Sequence, residues 1–306
     1  MNTDSLNSQS TGTRQSLPVA MIKACRPKQW AKNVLVFVAP AAAGVLDDGY
    51  RLRLTVVGFI AFCCVSSATY LLNDVLDVES DRKHPTKRNR PIASGALPVA
   101  AAIVMAVVLF VGGILIALTN NRTLVLIVVL YAALTTLYSF FFKKMAILDL
   151  VILSSGFILR LLGGAYAAEV EVSNWFLLIS LFGSMFIASA KRFAEQKELG
   201  ERAAELRPTL GEYSPEYLGF IKNVSVAALV MSYCLWAVER VSEAHAPMAS
   251  PWAQLSIIPF LIAVLRYALL VDQGKGSAPE DVILHDRQMQ LMGVIWIAIL
   301  AIGMYV

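Results

Sequence analysis

Long apolar runs separated by short polar connections dominate the chain from about residue 28 onward. A helix that crosses a bilayer needs about 20 consecutive, mostly apolar residues. Runs of that kind fall at about 28–46, 54–75, 97–118, 123–142, 147–168, 174–192, 217–239, 252–272 and 288–306. Pro40, Pro259, Gly112 and Gly113 inside them count little against helix, because membrane helices tolerate both residue types. The first run is the most amphipathic, with Trp30, Lys32 and Asn33 at its start. Residues 1–20 are polar and rich in Ser, Thr and Asn, so they read as a disordered cytoplasmic tail. They have no apolar centre, and no cleavable signal peptide is expected. The pattern predicts an all-α integral membrane protein, with one nine-helix domain over 21–306 behind a tail over 1–20.

Composition supports lipid as the main solvent. Of 306 residues, 57% are hydrophobic and 16% charged, and the mean hydropathy is +0.63. A soluble domain carries roughly a quarter charged residues. Too few charges remain to cover a soluble surface, which excludes a cytosolic globular protein, a disordered chain and a secreted disulfide scaffold. Cys25, Cys63, Cys64 and Cys234 form no CxxC or Cys/His spacing and read as small packing residues. His84, His245 and His285 have no metal-ligand spacing either.

The placement of basic residues says more than the net charge of +4. The connections 1–32, 76–96, 143–146, 191–216 and 273–287 hold nineteen of the 26 Lys and Arg, and the opposite connections hold four. By the positive-inside rule the amino terminus is cytoplasmic and the carboxy terminus outside, in the plasma membrane.

The chemistry gathers on the basic side. The second run closes on Asn73-Asp74-Val75-Leu76-Asp77-Val78-Glu79-Ser80-Asp81-Arg82-Lys83 and enters Lys87-Arg88-Asn89-Arg90-Pro91. At about 100° per residue, Asn73, Asp74, Asp77 and Asp81 share an arc roughly 100° wide. Aligned acids at membrane depth need a counter-ion, and hard oxygen ligands suit Mg²⁺, which shares itself with substrate phosphates. Glu79 points to the other face. Lys28 and Lys32, spaced i, i+4 at the start of the first run, read either as two cations projecting together toward a cavity mouth or as anchors to lipid headgroups. Asp149 and Arg160 lie about 20° apart in azimuth but about 16 Å apart in rise, so they do not pair. Arg160 reads as a cavity-wall cation or a buried structural charge. Lys143 and Lys144 read as an anchor for a helix end.

NDxxDxxxD at the end of the second span, followed by a basic loop with Asn-Arg-Pro-Ile, resembles the UbiA superfamily of intramembrane prenyltransferases. The resemblance implies a nine-helix bundle with a polar cavity facing the cytoplasm and Mg²⁺ held against a diphosphate by Asp74, Asp77, Asp81 and Asn73. Members that alkylate aromatic rings carry a second Asp-rich motif at the end of the sixth span. Here that place reads Lys191-Arg192-Phe193-Ala194-Glu195, and cations there bind an anionic phosphate directly.

That departure, with Arg26-Pro27-Lys28-Gln29-Trp30-Ala31-Lys32-Asn33 and Pro279-Glu280-Asp281 with Asp286-Arg287, is similar to the decaprenyl-phosphate phosphoribosyltransferase branch. The branch implies phosphoribosyl pyrophosphate as donor, a polyprenyl phosphate as acceptor, and a product that feeds cell-wall arabinan synthesis. Asp74, Asp77 and Asp81 become the catalytic metal site. Asn73, Tyr70, Arg82, Lys83, Arg90, Arg160, Lys28, Lys32, Lys191, Arg192 and Arg287 become candidates for binding the two substrates. Membrane lipids are a further partner, a homo-oligomer is compatible with the sequence, and nucleic acid is not expected. The alternative within the superfamily is prenyl transfer from a prenyl diphosphate to an aromatic or other acceptor. A transporter is disfavoured because no internal repeat is visible and the acids cluster on one side.

Overall fold

A computed structural model describes residues 16–200, 208–243, 251–275, 282 and 284–305, and all regular structure among them is helical. The elements are α1 (Leu17–Ala24), a 3-10 helix (Pro27–Phe37), α2 (Val38–Ala42), α3 (Gly49–Leu76), α4 (Val78–Lys83), α5 (Val99–Leu118), α6 (Arg122–Phe140), α7 (Leu148–Ala167) and α8 (Asn174–Leu199). There follow α9 (Pro208–Glu212), α10 (Pro215–Glu243), α11 (Trp252–Leu255), α12 (Ile257–Asp272) and α13 (Arg287–Tyr305). Seven of the described helical stretches are long and apolar enough to span a bilayer, and α13 contributes a shorter apolar helix over Arg287–Gly303. Side-chain caps set several starts. Asp48 accepts from the Tyr50 N–H at 2.8 Å, and Asn121 accepts from the Leu124 N–H at 2.7 Å.

The nine continuous spans expected from the sequence are therefore corrected at the beginning. The run 28–46 is mostly a 3-10 helix, with α1 before it and the short α2 after it. Of the stretch 1–20 expected as a tail, residues 17–20 belong to α1, and residues 1–15 lie outside the described part. Pro27 opens the 3-10 helix, and at three residues per turn Trp30, Asn33 and Val36 fall in one row. That row seats on α3. Trp30 Nε1 donates to Ser67 Oγ at 3.0 Å, Asn33 Nδ2 donates to Ser66 Oγ at 3.2 Å, and Val36 is fully buried. The same geometry separates Lys28 and Lys32 by about 120°, so they do not project together as an α-helix would require.

Two half-bundles make up the core. In the first, Val36 packs with Ala61, Phe62 and Val65 of α3, Ala117 of α5, Leu124 and Val128 of α6, and Leu159 and Ala167 of α7. In the second, Phe186 and Ala190 of α8 meet Leu229 of α10 and Tyr267 of α12. Contacts between α7 and α8 join them. The most apolar span is also the least buried. The most apolar stretch of α5 has a mean hydropathy of 3.0 and is 11% buried, whereas that of α3 has 1.9 and is 67% buried. With lipid as the outer solvent, the greasiest helix lines the outside, and the helix carrying Ser, Thr and Cys sits in the middle.

Glycine makes the closest approach. A Cβ at Gly164 of α7 would collide with the Val36 backbone carbonyl, and one at Gly163 would collide with the Phe62 ring. The 3-10 helix can lie against α7 only because Gly164 lacks a side chain, and the Phe62 ring of α3 can do so only because Gly163 lacks one. Gly164→Ala should therefore lower stability by about 1–3 kcal/mol or more. Gly156→Ala, whose added methyl meets only ordinary contacts at 3.6 and 4.0 Å, should not. Thermal unfolding of the purified proteins in detergent measures both.

Candidate active site

At the end of α3 the chain turns without losing its hydrogen bonds. Asp77 leaves the helical basin at φ −91°, ψ 5°, yet its N–H bonds the Asn73 carbonyl at 2.9 Å and its carbonyl accepts from the Asp81 N–H at 2.8 Å. Asp74 and Asp81 are both buried, and buried carboxylates require partners. One comes from the following loop: Arg90 Nη1 lies 3.0 Å from Asp74 Oδ1 and 2.6 Å from Asp81 Oδ2. Ile92 and Leu97, each 1% exposed, anchor that loop. Another comes from the chain before α3, where Arg26 Nη2 meets Asp74 Oδ1 at 2.5 Å and its guanidinium lies over the Tyr70 ring at 5.2 Å. Arg26 achieves this at φ 53°, ψ 60°, left-handed backbone immediately before a proline. Asp77 is more open, and Lys143 Nζ stands 3.6 Å from its Oδ1.

The cluster is thus not the convergent three-acid array expected from the azimuths. Among the described residues no three acidic, His or Cys side chains come together as a metal cage. The donors nevertheless fit Mg²⁺ in kind, being all oxygen, and Asn73 Oδ1 is buried with no hydrogen-bond partner among the described residues. Such a partial shell suits an ion that completes its octahedron with water and substrate phosphate.

A second charged cluster lies where α7, α8 and the α9–α10 junction meet. Arg192, expected to face an anionic substrate, is 1% exposed. Its Nε meets Asp149 Oδ2 at 2.9 Å, its Nη1 meets Glu195 Oε2 at 2.8 Å, and its Nη2 donates to the Tyr138 hydroxyl at 3.2 Å. The Tyr213 hydroxyl donates to Asp149 Oδ1 at 2.6 Å. Burial, and that bond to Asp149, push the Tyr213 phenol well above its ordinary range, so it stays a donor at all physiological pH. Arg192 is therefore a structural cation, corrected from its expected place at the substrate.

Arg160 is likewise enclosed. Nε donates to Asn33 Oδ1, Nη1 to the Gly156 carbonyl and Nη2 to the Tyr131 hydroxyl, each at 2.7 Å, and the Tyr131 ring lies 4.6 Å below. It holds the 3-10 helix, α6 and α7 together and does not line an open cavity. As expected, it and Asp149 do not pair with each other.

The other expected residues divide. Arg82 pairs with Glu79 at 2.9 Å, and its Nε reaches the Ala93 carbonyl at 3.3 Å; Lys83, Lys28 and Arg287 are exposed. Lys191 lies 4.0 Å from Glu195 on an accessible turn of α8. Asp286 caps α13 and is held by Arg266 at 2.7 Å, which draws its carboxyl below the usual range. The Pro279-Glu280-Asp281 motif and His245 lie outside the described residues. Arg26, Lys143, Tyr138 and Tyr213 were given no site role by sequence reasoning. Arg26 alone carried a local signal, standing before a proline at the amphipathic start of the first run.

Removing one partner of a buried ion pair strands the other charge, at about 3–5 kcal/mol. Arg192→Met should destabilise by that amount, and Arg192→Met combined with Asp149→Leu and Glu195→Leu should recover much of it. Unfolding midpoints in detergent test this.

The UbiA prenyltransferase family model matches residues 34–294. The chain is 44% identical over 297 residues to the decaprenyl-phosphate phosphoribosyltransferase of Corynebacterium glutamicum, covering 95% of this chain and 89% of that one. It is 40% identical over 305 residues to the enzyme of the same name from Mycolicibacterium smegmatis, covering 97% and 96%. The fold is similar to that of a UbiA homolog from Archaeoglobus fulgidus bound to DMAPP and Mg²⁺, with a TM-score of 0.70 at 17% identity over 94% of this chain and 99% of that one. With the model matched across most of its length and the helical bundle superposed, the chain belongs to the UbiA prenyltransferase family.

Proposed function

We propose that the protein transfers a 5-phosphoribosyl group from phosphoribosyl pyrophosphate to the phosphate of a polyprenyl carrier such as decaprenyl phosphate, releasing pyrophosphate. The observation that carries this reading is the 44% identity, over nearly the whole chain, to a decaprenyl-phosphate phosphoribosyltransferase. The geometry favours it over prenyl transfer to an aromatic acceptor. The end of α8, where a second diphosphate-binding acid motif would stand, offers Lys191, and its acid Glu195 is committed to Arg192.

Asn73, Asp74, Asp77 and Asp81 would hold Mg²⁺ at the cytoplasmic end of α3. Bound there, the ion supplies charge neutralisation to the departing pyrophosphate. Arg26 and Arg90 hold the charge of the buried acids and would face the donor's phosphate oxygens. Arg82 and Lys83 line the same rim and serve the donor's 5-phosphate, with Tyr70 beside the ribose. Lys28, Lys32 and Lys191 offset repulsion between the acceptor phosphate and the donor, and Arg287 stands at the opposite edge.

The acceptor's phosphate is a monoester with its second pKa near 6, so it attacks as an anion and needs no general base. An acceptor oxygen bonds to the anomeric carbon as the bond to pyrophosphate breaks, through an oxocarbenium-like state. Pyrophosphate leaves with the electron pair, and direct displacement inverts the centre. The concentration of Lys and Arg in the connections on one side supports a site on the cytoplasmic side of the plasma membrane, with the amino terminus inside. There the polyprenyl tail stays in lipid while its phosphate meets a soluble donor.

Purified protein in detergent with Mg²⁺, labelled phosphoribosyl pyrophosphate and a polyprenyl phosphate should move label into the organic phase. Label moving only from a prenyl diphosphate to an aromatic acceptor would establish the alternative. Asp77→Asn, at a half-exposed position, should abolish transfer while the protein unfolds at the wild-type temperature. Wild-type turnover in that variant removes Asp77 from the metal site.

A further inference from the structure

The turn into α7 is strained and held by one hydroxyl. Ile147 sits at φ 68°, ψ −51°, with the Leu148 N–H bonded to the Ala146 carbonyl at 2.8 Å. This is a γ-turn with positive φ at its centre, the rare and strained form. Its central residue is β-branched, the type for which positive φ is a true outlier. The Ile147 N–H points out of the helix and donates to the Tyr213 hydroxyl at 2.5 Å, while that hydroxyl donates to Asp149 Oδ1 at 2.6 Å. Both bonds end on the same phenol, so its donor and an acceptor position are used. The Tyr213 ring is fixed from the other side, stacked on Tyr217 with centroids 6.1 Å apart and planes 13° apart. Asp149 cannot drift, being fully buried against Arg192. Four residues before Ile147, the 3-10 turn Phe142–Lys144 carries Lys143, whose Nζ reaches to 3.6 Å from Asp77 Oδ1. A residue of the α9–α10 junction therefore sets the turn that brings a cation to the acid cluster.

We propose that Tyr213 is a positioning residue for the transfer reaction: its hydroxyl pins the turn at Ile147 and so holds Lys143 where its ammonium meets the departing pyrophosphate. The inference rests on the proposed function only in taking pyrophosphate as the leaving group. Strain of this kind persists only where surrounding structure over-determines it, and the network of Tyr213, Asp149 and Arg192 supplies that restraint. Lys143, exposed on one side and close to Asp77 on the other, is the group the restraint delivers.

The test measures binding of Mg²⁺-pyrophosphate by titration calorimetry, together with KM for phosphoribosyl pyrophosphate and kcat, on the full-length protein. Lys143→Ala and Tyr213→Phe should each weaken pyrophosphate binding and raise KM about tenfold, the size of one charge-assisted hydrogen bond lost. The double variant should be no worse than Lys143→Ala alone, because both remove the same contact. Ile147→Gly in the Tyr213→Phe background should restore binding toward wild type, since glycine accepts positive φ without strain. Losses that multiply in the double variant, or no rescue by glycine, overturn the proposal. Should Tyr213→Phe fail to fold, Lys143→Ala still decides, as this exposed position does not threaten the fold and unchanged pyrophosphate affinity there refutes the role. If the coupling holds but no label passes from phosphoribosyl pyrophosphate to lipid, the functional reading fails and the positioning role stands. If label passes but the losses multiply, the positioning role alone fails.

Discussion

Two buried carboxylates that share one guanidinium set the terms for everything at the open end of the bundle. Asp74 and Asp81 lie against protein rather than water, and each buried charge costs several kcal/mol unless a partner compensates it. Arg90 bridges both, and Arg26 adds a second contact to Asp74. The surrounding backbone is arranged to deliver these two side chains. The loop after α4 is pinned by Ile92 and Leu97, and the link between α1 and the 3-10 helix adopts left-handed backbone at Arg26. Guanidinium and a divalent cation satisfy the same oxygens, so a site that rests on arginines is one from which an ion can release them.

The bundle contains two further solutions to the same problem, and they differ in kind. Arg192 is neutralised by two acids, Asp149 and Glu195, and its network joins α6, α7, α8 and the α9–α10 junction. Arg160 has neutral hydrogen-bond partners: an amide oxygen, a backbone carbonyl and a phenol, with an aromatic face below it. Dipoles and a ring quadrupole take the place of an anion there. Both arginines fix helices, whereas Arg26 and Arg90, each with a side chain 29% exposed, stand at a rim. Position relative to the rim, more than residue type, separates the enclosed cations from those open to solvent.

How much of this the sequence carried depends on the range of each interaction. The long helices were legible because lipid imposes a length and an apolar composition on each span. The acid motif was legible because its members are neighbours on one stretch of helix. The first span was misread because its contacts repeat every three residues, through Trp30, Asn33 and Val36, and a scan for apolar content does not distinguish that period from 3.6. The pairing of Lys28 with Lys32 failed for the same reason. The partners of the acids were illegible in another way. Arg26 is 48 residues from Asp74 and Tyr213 is 64 from Asp149, and no local pattern marks either pairing. Arg192 looked like a substrate cation because nothing near it in sequence announced Asp149.

The balance of charge at the rim limits how the reactants can enter. Asp74, Asp77 and Asp81 face Arg26, Arg90 and Lys143, three acids against three cations, so the cluster's own charges sum close to zero. A divalent ion alone would leave the three cations crowded beside it, and a pyrophosphate ester alone would have to compete with carboxylates for the arginines. Arriving together, ion and ester would cancel most of each other's charge, and the acids and bases could then exchange partners without stranding a buried carboxylate. A near-neutral rim would also offer little attraction to a lipid-borne phosphate, and the lysines proposed to meet it, Lys28, Lys32 and Lys191, lie on other elements.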